Sequence, residues 1–252
     1  MARPANSSAR TRVATPAPKR PAVMTGAAVP VLGWPPDEDR VEAIFARLAR
    51  IMPEPKTERN FSSPYTLVVA VALSAQATDV SVNKATERLF KVADPPEKML
   101  ALGEEGLIPY IASIGLYRGK ARNVIALSRI VLEQHGGEVP LNRADLQVLP
   151  GVGRKTASVV LNELGIEAAI AVDTHVFRVS HRLGLANAGT PDKVEAQLFK
   201  VVPEDWLPKA HHWLILHGRY TCTARKPKCL SCIIADLCPS RAGLMALGEA
   251  AG

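Results

Sequence analysis

No stretch of this sequence is apolar over anything near the roughly 20 residues of a membrane-spanning helix. Even the all-apolar block Leu67–Leu73 is far too short. No segment alternates apolar and polar residues with the period of two that marks a half-buried strand, so the expected fold is all-α. There is no internal repeat, which argues against a solenoid or a propeller. Acidic residues are missing before Asp37. Cysteine is scarce: there are four, and none precedes Cys222. A secreted disulfide framework spreads its cysteines along the chain, so that class does not fit. Four cysteines crowded between Cys222 and Cys238 point instead to a metal or cluster site in a reducing compartment.

What is present is the composition of a soluble globular protein. Of 252 residues, 47% are hydrophobic and 22% charged, which is ordinary for that class. The length can bury a full core, as one large domain or two small ones. A net charge of +7 favours a polyanionic partner, although many basic proteins never meet nucleic acid. Residues 1–35 carry Arg3, Arg10, Arg12, Lys19 and Arg20 among Ala, Pro and Ser. Such a segment cannot build a core, so a disordered basic tail is expected. Extra nucleic-acid affinity, organellar targeting and a passive bacterial tail all fit it.

Helix punctuation follows. Val41, Ile44, Phe45 and Leu48 form an apolar stripe over about 37–51, ended by Pro53 and Pro55. Ser63-Pro64 caps and opens a helix. Its body, Leu67–Leu73, is apolar on every side and should be central. It runs into polar residues, Ser74 to Asp79, where the chain meets a surface or cleft. Asp79 is the expected cap of a helix over 80–91, and Asp94-Pro95 starts another. Two short helices are expected up to Gly115. A helix over about 119–134 carries Val124, Ile125, Leu127, Ile130 and Val131 and ends at Gly136-Gly137. Asp173 and Thr190-Pro191 open later helices. Leu207 to Tyr220 is the last long one, with Trp213, Leu214 and Leu216 as core candidates.

The chain is organised around Leu146 to Leu161. Leu146, Leu149, Val152, Ala157, Val160 and Leu161 make an apolar seam at helical spacing. Pro150 and Gly151 stop one short helix and Gly153 precedes the next. Two glycines this close permit a sharp turn and a close backbone approach to a ligand. The amides that open the second helix are unpaired and electropositive, which suits a phosphate. The same spacing also fits an ordinary αα-hairpin. Two residues after Gly153 stands Lys155. A nucleophilic lysine needs a depressed pKa, and burial, Arg154 and the helix N-terminus all push that way. A phosphate-contacting lysine is the commoner use of such a position. Asp173, in Val172-Asp173-Thr174-His175, reads as a helix cap.

The cysteines stand at 222, 229, 232 and 238. Four close thiolates can hold zinc or an iron–sulfur cluster. Zinc sites more often pair two Cys-x2-Cys knuckles, and only one such pair is here. Arg219, Arg225, Lys226 and Lys228 surround the first ligands. Cations there can offset the charge of a thiolate-bound cluster or meet phosphate. His211, His212 and His217 do not share one helical face and have no acidic partner near them. They are expected at the core edge or on a phosphate side, not around a metal.

Hairpin, lysine position, aspartate and cysteine spacing together resemble the endonuclease III family of DNA glycosylases, from about Pro36 to about Ser240. The resemblance implies that Lys155 is the nucleophile and Asp173 the catalytic carboxylate. It implies a [4Fe–4S] cluster on Cys222, Cys229, Cys232 and Cys238, with a structural and DNA-positioning role. A glycosylase that extrudes a nucleotide must hold the gap open. Leu116 matches the family's apolar wedge and Gln76 its polar plug. On the residues alone, Leu116 is as well read as core and Gln76 as merely exposed. Gly151, Gly153, Arg154, Lys120, Arg225, Lys226 and Lys228 are the remaining expected DNA contacts.

The implied architecture is two helical domains with the DNA site in the cleft between them. One is a barrel over 57–167 that ends in the helix-hairpin-helix. The other is a cluster domain built from 36–56 and 168–240. Tails are left at 1–35 and 241–252. The implied activity is bifunctional: removal of an oxidised pyrimidine, then cleavage 3′ to the abasic site by β-elimination through a lysine Schiff base. The expected partner is double-stranded DNA carrying oxidised pyrimidines or abasic sites, bound by a monomer and with no membrane. The expected place is the bacterial cytoplasm around the nucleoid, or an organelle or nucleus in a eukaryote. Mismatch adenine glycosylases share the hairpin, the aspartate and the cluster, but lack the lysine and usually continue into a second recognition domain. Here 14 residues follow Cys238. A non-catalytic DNA-binding module carrying a cluster is the alternative from another class.

Overall fold

The computed structural model describes residues 33–249. The expected basic tail therefore lies almost wholly outside the described residues. Among the described residues there are eleven α-helices, short 3-10 turns and no strand, as the missing alternation implied.

Helix α1 (Glu38–Ile51) is capped by Asp37, whose carboxylate accepts the Arg40 amide, and it buries Val41, Ile44, Phe45 and Leu48. In α2 (Pro64–Leu73) the cap is reciprocal. The Ser63 hydroxyl accepts the Thr66 amide, and the Thr66 hydroxyl accepts the Ser63 amide. Tyr65 to Leu73 are all buried, so truncating Leu67 to alanine should cost about 2–5 kcal/mol. The cap of α3 (Asp79–Leu89) is Thr78, which accepts the Ser81 amide. Asp79 does not cap. It is the first helical residue, and its carboxylate faces Arg59 and Arg219. Two charge-assisted bonds to guanidinium outweigh one bond to a backbone amide.

Before Gly115 stand two short helical segments, as expected; they meet across a non-helical Gly103, where φ is +66°, and together make up α4 (Pro96–Ile111). Helix α5 (Tyr117–His135) begins two residues before the expected start, at a left-handed Leu116, and closes at Gly136. Helices α6 (Arg143–Val148) and α7 (Arg154–Glu163) flank the glycine hairpin. Then come α8 (Thr174–Arg182), α9 (Pro191–Val201) and α10 (Leu207–Tyr220). The last, α11 (Arg241–Glu249), occupies the stretch read as a C-terminal tail and buries Leu244.

The apolar side chains form two clusters. One gathers α2 with the inner faces of α3 to α7, from Tyr65 to Ala171. The other joins α1 to α8, α9 and α10, and takes Ile234 from the cysteine loop. The chain passes between them in a few residues: Ile170 and Val172 belong to the second cluster, while Ala171 belongs to the first. Asp173 follows at once, so the seam between the cores fixes where that carboxylate stands.

The three histidines of α10 are all buried, which removes them from any phosphate side. His212 does have an acidic partner: its Nε2 lies 2.8 Å from Glu163 Oε1 at the end of α7. Burial of both groups places this pair across the seam, where sequence distance hid it.

Candidate active site

At the hairpin, Gly151 has φ +83°, a left-handed value that favours glycine. A Cβ there would also lie 3.1 Å from the Cβ and Nδ2 of Asn123 on α5. Gly153 is the N-cap of α7, with extended backbone, no side-chain cap and open space around it. The first turn of α7 holds no acid. Its free amides and positive end therefore face outward without an internal partner.

Lys155 is the second residue of α7. Burial pushes its pKa below the ordinary lysine value, Arg59 adds to that, and Asp173 and Asp79 oppose it. The expected cationic neighbour was Arg154. Instead Arg154 turns to α9, where its guanidinium lies 3.0 Å from Glu195 and 3.6 Å from Asp192. Asp173 caps α8 through Oδ1, which accepts the amides of His175 and Val176 at 2.8 Å each. Its Oδ2 takes no hydrogen bond from another described residue, so one oxygen holds the helix and the other is left for chemistry.

Around this pair runs a charged network. Arg59 reaches Asp79 at 3.2 Å and Arg219 reaches the other Asp79 oxygen at 2.5 Å. Arg219 and Tyr220 also donate to Glu58. Glu58, Arg59, Asp79 and Arg219 line a narrow cleft at the seam between the cores, together with Glu163, His211 and His212. Burial, together with His212, Arg59, Lys155 and Arg219, pushes the His211 pKa down to about 3, so it stays neutral. Sequence reasoning missed this network because its members stand on distant segments. The one local signal was a charged Glu58-Arg59 pair just before α2.

Gln76 and Leu116 are the non-glycine residues with left-handed backbones among those described, at φ +55° and +61°. Such a backbone costs a side-chain-bearing residue about 1–2 kcal/mol and persists only where the surroundings impose it. The two tips are adjacent, since a Cβ on Gly115 would sit 4.0 Å from the Gln76 carbonyl oxygen. Leu116 is 66% exposed, so it is not core.

The four cysteines form no disulfide with one another, and each is half-buried. They line one hollow of about 330 Å³ together with Leu183, His217 and Arg241. Burial pushes the thiols of Cys229 and Cys232 up, and that of Cys238 up to about 11. Nearby guanidinium groups offset the charge of thiolates. Arg182 donates to Cys222 Sγ at 3.4 Å and to the Thr223 and Ala224 carbonyls, and Arg178 donates to the Gly218 and Cys222 carbonyls. Four soft donors around a hollow lined with cations fit an iron–sulfur cluster.

Two family models match: the HhH-GPD superfamily of base excision DNA repair proteins over 69–204, and the iron–sulfur binding domain of endonuclease III over 222–238. The chain belongs to the endonuclease III family. It is 60% identical over 195 residues to endonuclease III of Escherichia coli (strain K12), spanning 77% of this chain and 92% of that one. With endonuclease III of Haemophilus influenzae the identity is 56%, over 79% of this chain and 94% of that one. Among solved structures, a non-covalent endonuclease III–DNA complex superposes with a TM-score of 0.78 at 41% identity, covering 84% of this chain and 99% of that chain. A trapped endonuclease III–DNA covalent intermediate gives 0.77 at 41% identity, covering 83% and 99%. The cofactor of this endonuclease III family member is a [4Fe–4S] cluster.

The remaining expected DNA contacts divide. Arg225, Lys226 and Lys228 are exposed on the cysteine loop. Lys120 is buried, at 7% exposure, and its ammonium has no hydrogen-bond partner. Its ammonium therefore lies out of contact with open solvent. The reason is its place on α5, one turn before Val124 on the side that enters the core.

Proposed function

We propose that this base-excision-repair enzyme removes oxidised pyrimidines from duplex DNA and cleaves the resulting abasic site through Lys155. One observation carries the reading: in the first turn of an uncapped helix stands a lysine whose pKa is depressed by desolvation, within electrostatic reach of a carboxylate that has one free oxygen. The neutral amine attacks the sugar anomeric carbon. A nitrogen–carbon bond forms, the glycosidic bond breaks, and the departing base takes up a proton. The charge that develops on the sugar is stabilised by Asp173. The imine forms as the bond between the anomeric carbon and the ring oxygen breaks, and the free oxygen of Asp173 relays a proton from the amine to that departing ring oxygen. Loss of a proton from the adjacent sugar carbon then expels the 3′ phosphate, and water releases the lysine.

Leu116 serves as the wedge and Gln76 as the plug. The hairpin amides at Gly151 and Gly153 hold phosphate, with Arg225, Lys226 and Lys228 from the cysteine loop. Cys222, Cys229, Cys232 and Cys238 hold the cluster, which when bound fixes this loop on the second core. The two apolar clusters correspond to two domains, 57–167 and 36–56 with 168–240. The enzyme works as a monomer in the bacterial cytoplasm, and no helix among the described residues is long and apolar enough to cross a membrane.

Borohydride reduction during turnover tests the reading. Wild-type protein should become covalently joined to a duplex carrying one oxidised pyrimidine, and Lys155→Gln should abolish the adduct. Trapping at wild-type yield by the variant would assign the nucleophile elsewhere. No adduct from either protein would favour a non-catalytic binding module or an adenine-specific glycosylase.

A further inference from the structure

Beyond the wedge at its tip, helix α5 carries a strip whose other residues the lysine chemistry does not use. Leu116, Gly119, Lys120 and Asn123 fall on one face, spaced three and four residues apart. Leu116 is the exposed apolar tip at the start of the helix. Gly119 lies in the first turn, and a Cβ on it would meet nothing within 4 Å. Glycine weakens a helix, so a position with open space has no internal reason to carry it. Asn123 is exposed, and its carboxamide makes no hydrogen bond to a described residue although it packs against Gly151 of the hairpin. Lys120 lies along the strip, nine-tenths buried, with an unpartnered ammonium. An unpaired buried cation is costly unless an anion arrives nearby.

We propose that this face of α5 seats the DNA phosphodiester backbone between wedge and hairpin, with Asn123 Nδ2 donating to a phosphate oxygen beside the hairpin amides. From Leu116 to Asn123 the helix rises about 10 Å, the length of roughly three stacked nucleotides. Gly119 leaves room for the sugar-phosphate chain to approach the helix closely. The charge of that chain offsets the buried Lys120. Wedge and clamp then share one rigid element, so the register between extruded nucleotide and held phosphate is set by α5. The inference rests on the hairpin being the phosphate clamp of a DNA-bound enzyme.

The alternative use of Asn123 is to brace Gly151, and charge separates the two. Full-length cluster-loaded protein should be titrated with undamaged duplex across a salt series, with thermal midpoints measured in parallel. Asn123→Ala should weaken binding roughly ten-fold at an unchanged salt slope, because a neutral hydrogen bond is lost. Asn123→Asp keeps the shape and can still brace the hairpin, but it repels phosphate. It should bind more weakly than Asn123→Ala, most of all at low salt. Asn123→Lys should bind more tightly than wild type and raise the slope by about one unit. The proposal falls if Asn123→Asp binds as well as or better than Asn123→Ala. If the aspartate variant does not fold, it falls if Asn123→Lys leaves affinity and slope unchanged. Gly153→Ala is the control on the underlying reading, since the space there is open and a methyl would disturb only a ligand on the hairpin. Weakened binding by Gly153→Ala beside ordinary ranking at Asn123 overturns the Asn123 assignment alone. Unaltered binding by Gly153→Ala moves the clamp off the hairpin and overturns both.

Discussion

Lys155 sits between opposing influences, and its partner is a paradox that kinetics can read. Burial and Arg59 lower its pKa, while Asp173 and Asp79 raise it. Asp173 therefore keeps the amine more protonated than it would otherwise be, although the reaction needs it neutral. In the proposed mechanism its contribution comes after attack, on charge and proton transfer. Asp173→Asn should accordingly do two things. The plateau rate of imine trapping should fall by about 10²–10⁴-fold, and the rising limb of the pH profile should move to lower pH. Single-turnover trapping on an abasic duplex over a pH series measures both. A limb that stays put or moves to higher pH would mean that Asp173 does not act on this amine. Local signals, a glycine turn and a helix start, read on their own as a phosphate contact at Lys155 and a cap at Asp173; their catalytic assignment comes from the family resemblance. Arg154 and Lys120 were read from residue type alone, and there tertiary partners decided. Glu195 and Asp192 draw Arg154 to α9, and the apolar side of α5 draws Lys120 inward.

At the scale of elements, helix ends were legible wherever a cap answers to neighbouring backbone. Ser63 and Asp173 cap as their sequence context suggests, and Asp37 caps α1 as well. Asp79 failed because its strongest partners, Arg59 and Arg219, come from other segments. Helix α10 shows the same limit more sharply. Its boundaries follow from sequence, yet the state of its histidines depends on what packs over them. His211 is fully buried and neutral, with a pKa pushed from 6.5 down to about 3. On unfolding it regains ordinary basicity and binds a proton. Below pH 6.5 the unfolded chain thus holds more protons than the folded one. The stability tied to His211 is complete above that pH and is lost progressively as pH falls toward 3. His211→Gln should make stability fall less steeply over that acid range than in wild type. Denaturant unfolding at several pH values would show it, and parallel wild-type and variant curves would remove His211 from the acid response.

For the whole molecule the decisive feature is that α1 docks with α8 and α10, so the second core is closed by the two ends of the described chain around the first. No periodicity reveals that pairing. The cysteine loop belongs to this second core. Ile234 is fully buried in it, and Cys222, Cys232, Ile233, Leu237 and Cys238 pack against it. None of them joins the first core, which has α2 at its centre. Ties from α1 strengthen the link: Arg47 pairs with Asp236 at 2.5 Å, and Arg40 donates to the Leu237 carbonyl at 3.2 Å. Removing the cluster frees the thiols, three of which (Cys229, Cys232 and Cys238) resist ionisation because they are buried, and it releases the loop from its cross-link. The loss should therefore be unequal. After chelation, amides of α1, α8 and α10 should exchange with solvent faster, while those of α2, α5 and the buried part of α7 keep most of their protection. Cys229→Ser should give the same pattern, with lower yield of folded protein. Hydrogen exchange read by peptide before and after iron removal distinguishes this from a single cooperative structure. Equal loss of protection in both cores would show that the charged seam through Asp79, Arg219, Glu163 and His212 couples them more tightly than their separate apolar clusters imply.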